Sequence, residues 1–532
     1  MFNFNMLKTF LLNLWESFVG IPLVLCFLLY LCDLLSLLLR MLPLRFQRQV
    51  VVELEHARRY LKKFQRKLPP GPMGIPVLGH LPFIDSASPH LTLRKWSKDY
   101  GPIYRIQLGK VPVVVLSDPQ LITMAFNNDN VTGKPPLYVT TGIMECCGII
   151  SVDGELWRSQ RNMIIRSLDS FASRQHLVED VGVNKLDVLL MEQVTRLLTQ
   201  FDATNGHVFD VHGPVRFSVS NMMAKILFGR SYEDNDHVFN RQLDLCDKGA
   251  SLVQLTNFIN YFPFLRYLPD FGRPYSLLRE LKTEHHEYLN DILSDRVRRS
   301  NGDSLIDLYI AEIRKDGADV HDKETGKQMS HVLADLFGGS TDTIKQTVKW
   351  ALLHFMTRND VQDKIHDELD KIVGSKRRPD FHDMGKLVYT RACIMEAQRL
   401  ASVAPIGMPH WTLADMTLGG HYVAKDTMVI ALQYAVHMNP NYWETPNLFI
   451  PERFLNEDKT ELLKQSHFMP YSIGKRQCPG MDLADRCLYI ILANILHRYN
   501  LLPPRENIEP SYRPLPGFTL SPRHYMLRAV LR

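Results

Sequence analysis

The chain is 532 residues long, with 45% apolar and 22% charged residues and a formal net charge of +5. These values exclude widespread disorder, and the length exceeds what one small core accommodates, so one large composite domain or two domains are expected. The eight cysteines are scattered, with only Cys146 and Cys147 adjacent and no regular framework, which suits a reducing compartment. The basic excess is local, because residues 1–67 carry ten Lys/Arg against Glu16, Asp33, Glu53 and Glu55. There is no phosphate-cradling loop, zinc-finger spacing or nucleic-acid motif, so nucleic acid is not an expected partner.

Ser17 to Leu39 forms an apolar run interrupted only by Asp33. As a helix it would rise about 35 Å at roughly 1.5 Å per residue, enough to cross a hydrocarbon core of about 30 Å. Arg40, Arg45 and Arg48 follow at once whereas only Lys8 precedes it, so the C-terminal side should face the cytosol. A cleaved signal peptide would need a shorter apolar region and a small-residue cleavage site, and neither is evident. Residues 49–67 interleave Val52, Leu54, Tyr60, Leu61 and Phe64 with basic residues; they read equally as a membrane-surface helix or a solvated linker helix. The prolines of 68–74 then end any helix.

Ile103–Gly109 and Val113–Leu116 read as a hairpin of short strands. Trp157 and Arg161, four residues apart, share a helical face. Residues 177–300 are predominantly helical in pattern, with an aromatic cluster at Phe258, Tyr261, Phe262, Phe264 and Tyr267 that is either core or membrane-facing. A long helix is predicted within 329–360. Gly338 and Gly339 weaken it by roughly 1 kcal/mol each relative to Ala, and Asp342-Thr343 follow, which predicts a local opening of the hydrogen-bond ladder. Glu396 and Arg399 form an i,i+3 pair in the next helix, and Pro451-Glu452-Arg453-Phe454 lies downstream.

The run 468–487 reads as a tight loop through Gly474 feeding a helix that starts near Met481, with Cys478 at its N-terminus. Unpaired N–H groups there and the cations Lys475 and Arg476 should lower the thiol pKa from roughly 8.5. Zinc tetrahedra and iron–sulfur clusters need several clustered ligands, and this loop holds one cysteine, so a single axial thiolate on haem iron fits better.

The segment Pro470–Gly480 resembles the haem-binding loop of the cytochromes P-450, the haem-thiolate monooxygenases, with Tyr471 standing where the family usually has Phe. The proline hinge, Trp157/Arg161, Gly339–Thr343, Glu396/Arg399 and Pro451–Phe454 are similar to the family's other motifs and follow its order, with Ser340 replacing a usual glycine. The resemblance implies a mainly α fold with small β-sheets (α+β), the P-450 fold, preceded by an N-terminal transmembrane helix. It implies an anchor and basic flank at 1–48, an amphipathic segment and hinge at 49–72, and a catalytic domain at 73–532.

It further implies haem b with Cys478 as the metal ligand and Trp157, Arg161, His410 and Arg476 as haem contacts. Asp342 and Thr343 would be catalytic proton donors, and Glu396, Arg399 and Arg453 scaffold. Electrons would come from NADPH through a flavoprotein reductase meeting a basic face at Lys475, Arg158, Arg166 and Arg486, with cytochrome b5 as a further partner. The expected function is insertion of one oxygen atom from O2 into a small lipophilic substrate (steroid, terpenoid, fatty acid or xenobiotic), bounded in part by the 515–520 turn, at the endoplasmic reticulum membrane with the catalytic domain cytosolic. The alternatives are a non-oxygenating haem sensor or carrier, and a haem-thiolate isomerase or peroxide-user that needs no reductase.

Overall fold

A computed structural model describes residues 67–173, 185–299, 302–505 and 510–532. The expected membrane span at 17–39 and the basic segment up to residue 66 lie outside the described residues. Among the described residues no helix is long and apolar enough to cross a membrane. Two units are present. In the smaller, residues 67–69 with 419–422, Tyr422 N donates to Lys67 O at 2.8 Å. The larger, residues 70–418 with 423–532, contains every candidate site residue.

In chain order the larger unit contains α1 (Pro89–Tyr100), β1 (Ile103–Leu108), β2 (Val111–Leu116), α2 (Pro119–Phe126), α3 (Gly154–Ser173), α4 (Lys185–Asp202), β3 (Val208–Asp210), α5 (His212–Phe228) and α6 (His237–Leu252). There follow α7 (Pro269–Arg299), α8 (Leu305–Lys315), α9 (Lys323–Phe355), α10 (Asn359–Ile372), α11 (Val388–Ala401), β4 (His410–Trp411), β5 (Met428–Ala431), α12 (Gln433–His437), α13 (Met481–Arg498), β6 (Tyr499–Leu502) and β7 (Met526–Leu531). It is mainly α with small sheets, the class expected.

Local chemistry sets the helix starts. Asp118 caps α2 by accepting from Gln120 N and Leu121 N at 3.0 and 2.9 Å, ahead of Pro119 at the first helical position. Asp322 does the same for α9 through Glu324 N and Thr325 N, so that helix begins six residues before the predicted 329. Helix α5 is apolar nearly all round and buried on all sides, packing against α4 and α9. One sheet has the order β1–β2–β5–β4 and the other β3–β7–β6. In the first, β2 runs parallel to β5 with Val113 opposite Met428, and β4 runs antiparallel to β5 with His410 opposite Val429.

The predicted opening of α9 does not occur: the helix is continuous through Gly338 and Gly339. Phe337, Ile344 and Val348 are all buried, at about 1.5–3 kcal/mol each, which outweighs the glycine cost of roughly 1 kcal/mol per residue. The hydroxyls of Ser340, Thr341 and Thr343 instead donate to the carbonyls of Leu336, Phe337 and Gly339 at 2.6, 2.7 and 2.7 Å.

Candidate active site

The cysteine loop is built from turns that only its own residues permit. Gly474 has φ +79°, and a Cβ there would lie 2.3 Å from Phe126 O, so a side chain is excluded twice over. With that approach open, Lys475 N donates to Phe126 O at 3.0 Å and clamps the loop to the end of α2. Cys478 N then donates to Tyr471 O at 3.0 Å, closing the loop and delivering an exposed thiol just before α13.

The Tyr471 phenol, the departure from the family pattern, donates to Asp485 Oδ1 at 2.5 Å and accepts from Gln398 Nε2 at 2.7 Å. It ties the loop to α13 and α11 at once. The expected depression of the thiol pKa is not found. Desolvation pushes Cys478 above its ordinary value and Asp485 adds to this; the Gly480 N–H and the Arg161 guanidinium pull the other way without prevailing.

Around this loop the structure gathers four of the predicted haem contacts. Arg161 Nη2 donates to Gln477 O at 2.7 Å. Arg476 donates to Thr132 O and Val152 O at 2.6 and 2.7 Å, and its guanidinium lies 4.2 Å from the ring centroid of Trp157. His410 Nδ1 donates to Val131 O at 2.9 Å, and its ring stacks on Phe126 at 3.7 Å.

A fifth residue, Lys134, was not anticipated. Its ammonium donates to Pro409 O at 3.1 Å. Burial, then Arg476, pushes it well below its ordinary pKa, while burial, then Lys134 and Arg476, does the same to His410. Three basic groups thus repel one another in one enclosed place, which the Asp153 and Asp335 carboxylates offset only in part. No sequence pattern announces Lys134, which sits between a turn and two prolines.

Asp342 and Thr343 belong to a different set. Asp342 accepts from Thr519 Oγ1 at 2.5 Å and Gln346 Nε2 at 3.1 Å, and pairs with Lys345 at 3.2 Å. Lys345 also pairs with Asp247 on α6. Although burial opposes it, Asp342 and Asp247 hold this ammonium above its ordinary pKa. The acid is therefore joined to the 515–520 turn, and among the described residues no hydrogen bond or ion pair joins it to the cysteine loop.

A family model described as Cytochrome P450 matches residues 69–529. The chain belongs to the cytochrome P450 family. Among its relatives are Cytochrome P450 18a1 of Drosophila melanogaster, 30% identical with 86% of each chain covered, and Cytochrome P450 2J3 of Rattus norvegicus, 30% identical over 88% of this chain and 92% of the relative. Farnesoate epoxidase of Bombyx mori is 28% identical over 86% of this chain and 93% of that one. The protein is accordingly a P450 monooxygenase, an oxidoreductase that binds haem and its iron.

The residues present in this P450 fit that group. A lone exposed thiol offers one soft anionic ligand, and the excess positive charge of Lys134, Arg476 and Arg161, with His410 beside it, suits a macrocycle edge bearing two carboxylates. A Cβ built on Gly339, an exposed position inside α9, meets nothing within 4 Å, so that helix presents bare backbone to open space.

The scaffold assignment is also seen. Arg399 donates to both oxygens of Glu396 at 2.7 Å and to His437 O at 2.7 Å, and Arg453 Nε reaches Glu396 Oε1 at 3.2 Å; Glu396 and Arg399 are fully buried. The cations expected to form a basic face have acidic neighbours. Lys475 and Arg158 pair with Asp129, Arg166 with Glu312 and Arg486 with Asp187, so each cation already has an acid beside it.

Proposed function

We propose that Cys478 would hold the iron of haem b as a thiolate ligand and that the enzyme inserts one oxygen atom from O2 into an apolar organic substrate. The observation that carries this reading is the exposed Cys478 thiol beside Arg161, in a loop whose Arg476 lies close to Lys134 and His410, in a chain of this family. When bound, haem would supply the reductive activation of dioxygen.

The chain's own part is positioning and proton supply. Trp157, Arg161, His410, Arg476 and Lys134 would neutralise and orient the propionates by charge-assisted hydrogen bonds. Asp342 and Thr343 would supply protons: Thr343 Oγ1 donates to Gly339 O at 2.7 Å, so its hydroxyl would turn off that carbonyl to pass its proton on while a neighbour reprotonates it. Residues 1–48 would anchor the protein in the endoplasmic reticulum membrane, 49–72 would link, and 73–532 would form the cytosolic catalytic domain. Electrons would come from NADPH through a flavoprotein reductase, with cytochrome b5 as a second donor. An acidic partner would have to compete with Asp129, Glu312 and Asp187 for the paired cations.

Purified haem-loaded protein, reconstituted with reductase and NADPH, should consume oxygen and form product. Steroid, fatty-acid and terpenoid probes, including farnesoate from the name of the Bombyx mori relative, should be screened first by spin-state shift. Bound haem with neither oxygen use nor product would refute the monooxygenase reading and leave a sensor or carrier. Cys478→Ala should abolish the thiolate-type red shift of the reduced carbon monoxide spectrum; an unchanged spectrum would mean another ligand.

A further inference from the structure

We propose that Asp210, His212 and His524 form a Zn2+ site at the end of the β3–β7 pair, separate from the haem loop. The fold brings them together from far apart in sequence: Asp210 ends β3, His212 opens α5, and the β3–β7 register sets Asp210 opposite Met526, two residues past His524. One donor atom from each lies within 4.8 Å of the other two.

Metal–ligand lengths of roughly 2.0–2.2 Å put tetrahedral donors about 3.4 Å apart. His524 Nδ1 and Asp210 Oδ2 are already 3.5 Å apart. The His524 ring stacks on His212 at 4.3 Å, so its 74% exposed side chain turns out of that stack for both imidazoles to point at one ion.

The second observation concerns His212 itself. The residue is only 6% exposed, yet its Nε2 has no hydrogen-bond partner among the described residues. A buried polar atom left so is unfavourable, and a ligand would relieve it. The buried Lys349 lies near His212 and, while charged, opposes a cation there. Asp210 is oriented for the task, its Oδ1 accepting from His212 N at 2.9 Å while Oδ2 faces His524. Two imidazoles, one carboxylate and a fourth position open to water select Zn2+ or Cu2+ over Mg2+ or Ca2+.

The test uses untagged, full-length, haem-loaded protein stripped with chelator and dialysed against graded ZnCl2, with metal measured by elemental analysis. One saturable equivalent is expected. His524→Ala and Asp210→Asn, both at exposed positions, should each weaken it at least about tenfold with haem content and carbon monoxide spectrum unchanged. Excess Mg2+ should leave the bound zinc in place. The proposal is overturned by the absence of a saturable equivalent, by unaltered affinity in both variants, or by displacement with Mg2+. Its failure would leave the haem-thiolate reading untouched.

Discussion

Tyr471→Phe isolates what the unusual phenol does. The ring and the Cys478 N–H to Tyr471 O bond survive the change, so only the hydroxyl is lost. That hydroxyl makes one bond to a carboxylate, worth about 1.5–3 kcal/mol, and one to an amide, worth about 0.5–1.5 kcal/mol. Loss of both predicts a destabilisation of about 2–4 kcal/mol. The measurement is the urea midpoint for loss of the thiolate-type carbon monoxide spectrum, alongside far-ultraviolet dichroism and at matched haem loading, since cofactor loss couples to unfolding. Gln398→Ala should cost much less in the Tyr471→Phe background than alone, because both changes remove the same contact. A Tyr471→Phe protein within about 0.5 kcal/mol of the wild type, or strict additivity of the two changes, would refute the view that the phenol pins this loop.

Glu396→Gln removes the counter-charge that Arg399 and Arg453 share; breaking a buried pair costs about 3–5 kcal/mol, so folded haem-loaded protein should accumulate poorly, and normal yield with normal haem content would count against the network. Lys134→Met should speed haem transfer to a scavenging apoprotein about ten- to a hundredfold, the equivalent of one charge-assisted hydrogen bond, with dichroism unchanged; an unaltered transfer rate would remove Lys134 from the haem edge. Asp335 accepts from Ile149 N and Ile150 N at 2.7 and 2.9 Å, yet burial outweighs these bonds and raises its pKa to about 6. Because the folded-state value is raised, the stability this acid contributes is complete below its unfolded pKa near 4 and is lost as pH rises through 6, about 3 kcal/mol in all. Urea midpoints of Asp335→Asn relative to wild type should therefore climb from pH 4 to 7; a constant difference would show that the acid does not titrate there.

The sequence exposed those parts of the molecule whose causes are local. Gly474, the cysteine two residues past Arg476 and the apolar rhythm from Met481 onward specify a turn and a helix start over about twenty residues, and the structure forms them there. The Glu396–Arg399 pair was visible as a spacing, and its burial followed from the resemblance. Lys134, Thr519 and the Tyr471–Asp485–Gln398 tie were not visible, because each depends on which solitary polar residue the tertiary fold sets opposite another. The same limit hid the partners of the expected basic face: Arg166 and Arg486 look unpaired along the chain, but Glu312 and Asp187, more than a hundred residues distant, come to them on folding. Continuous helix at Gly338-Gly339 was missed for the converse reason, since a local propensity was allowed to decide what burial of Phe337 and Ile344 decides.

The ties on Asp342 constrain how an acid on α9 can deliver protons. One carboxylate oxygen takes the Thr519 hydroxyl and the other takes Gln346 and the Lys345 ammonium. With these donors in place the carboxylate can join a proton path only when one of them withdraws. Lys345 is bound on both sides, to Asp342 and Asp247, and is almost wholly buried, so it is poorly placed to leave. Thr519 lies in a turn held by Phe518 N to Ala250 O at 3.2 Å and Leu520 N to Val403 O at 2.9 Å, flanking contacts that leave the hydroxyl rotor itself free to turn. On the proposed reading, proton supply is therefore gated by the 515–520 turn, the same segment expected to meet substrate, which places oxygen activation and substrate occupancy under the control of one side chain.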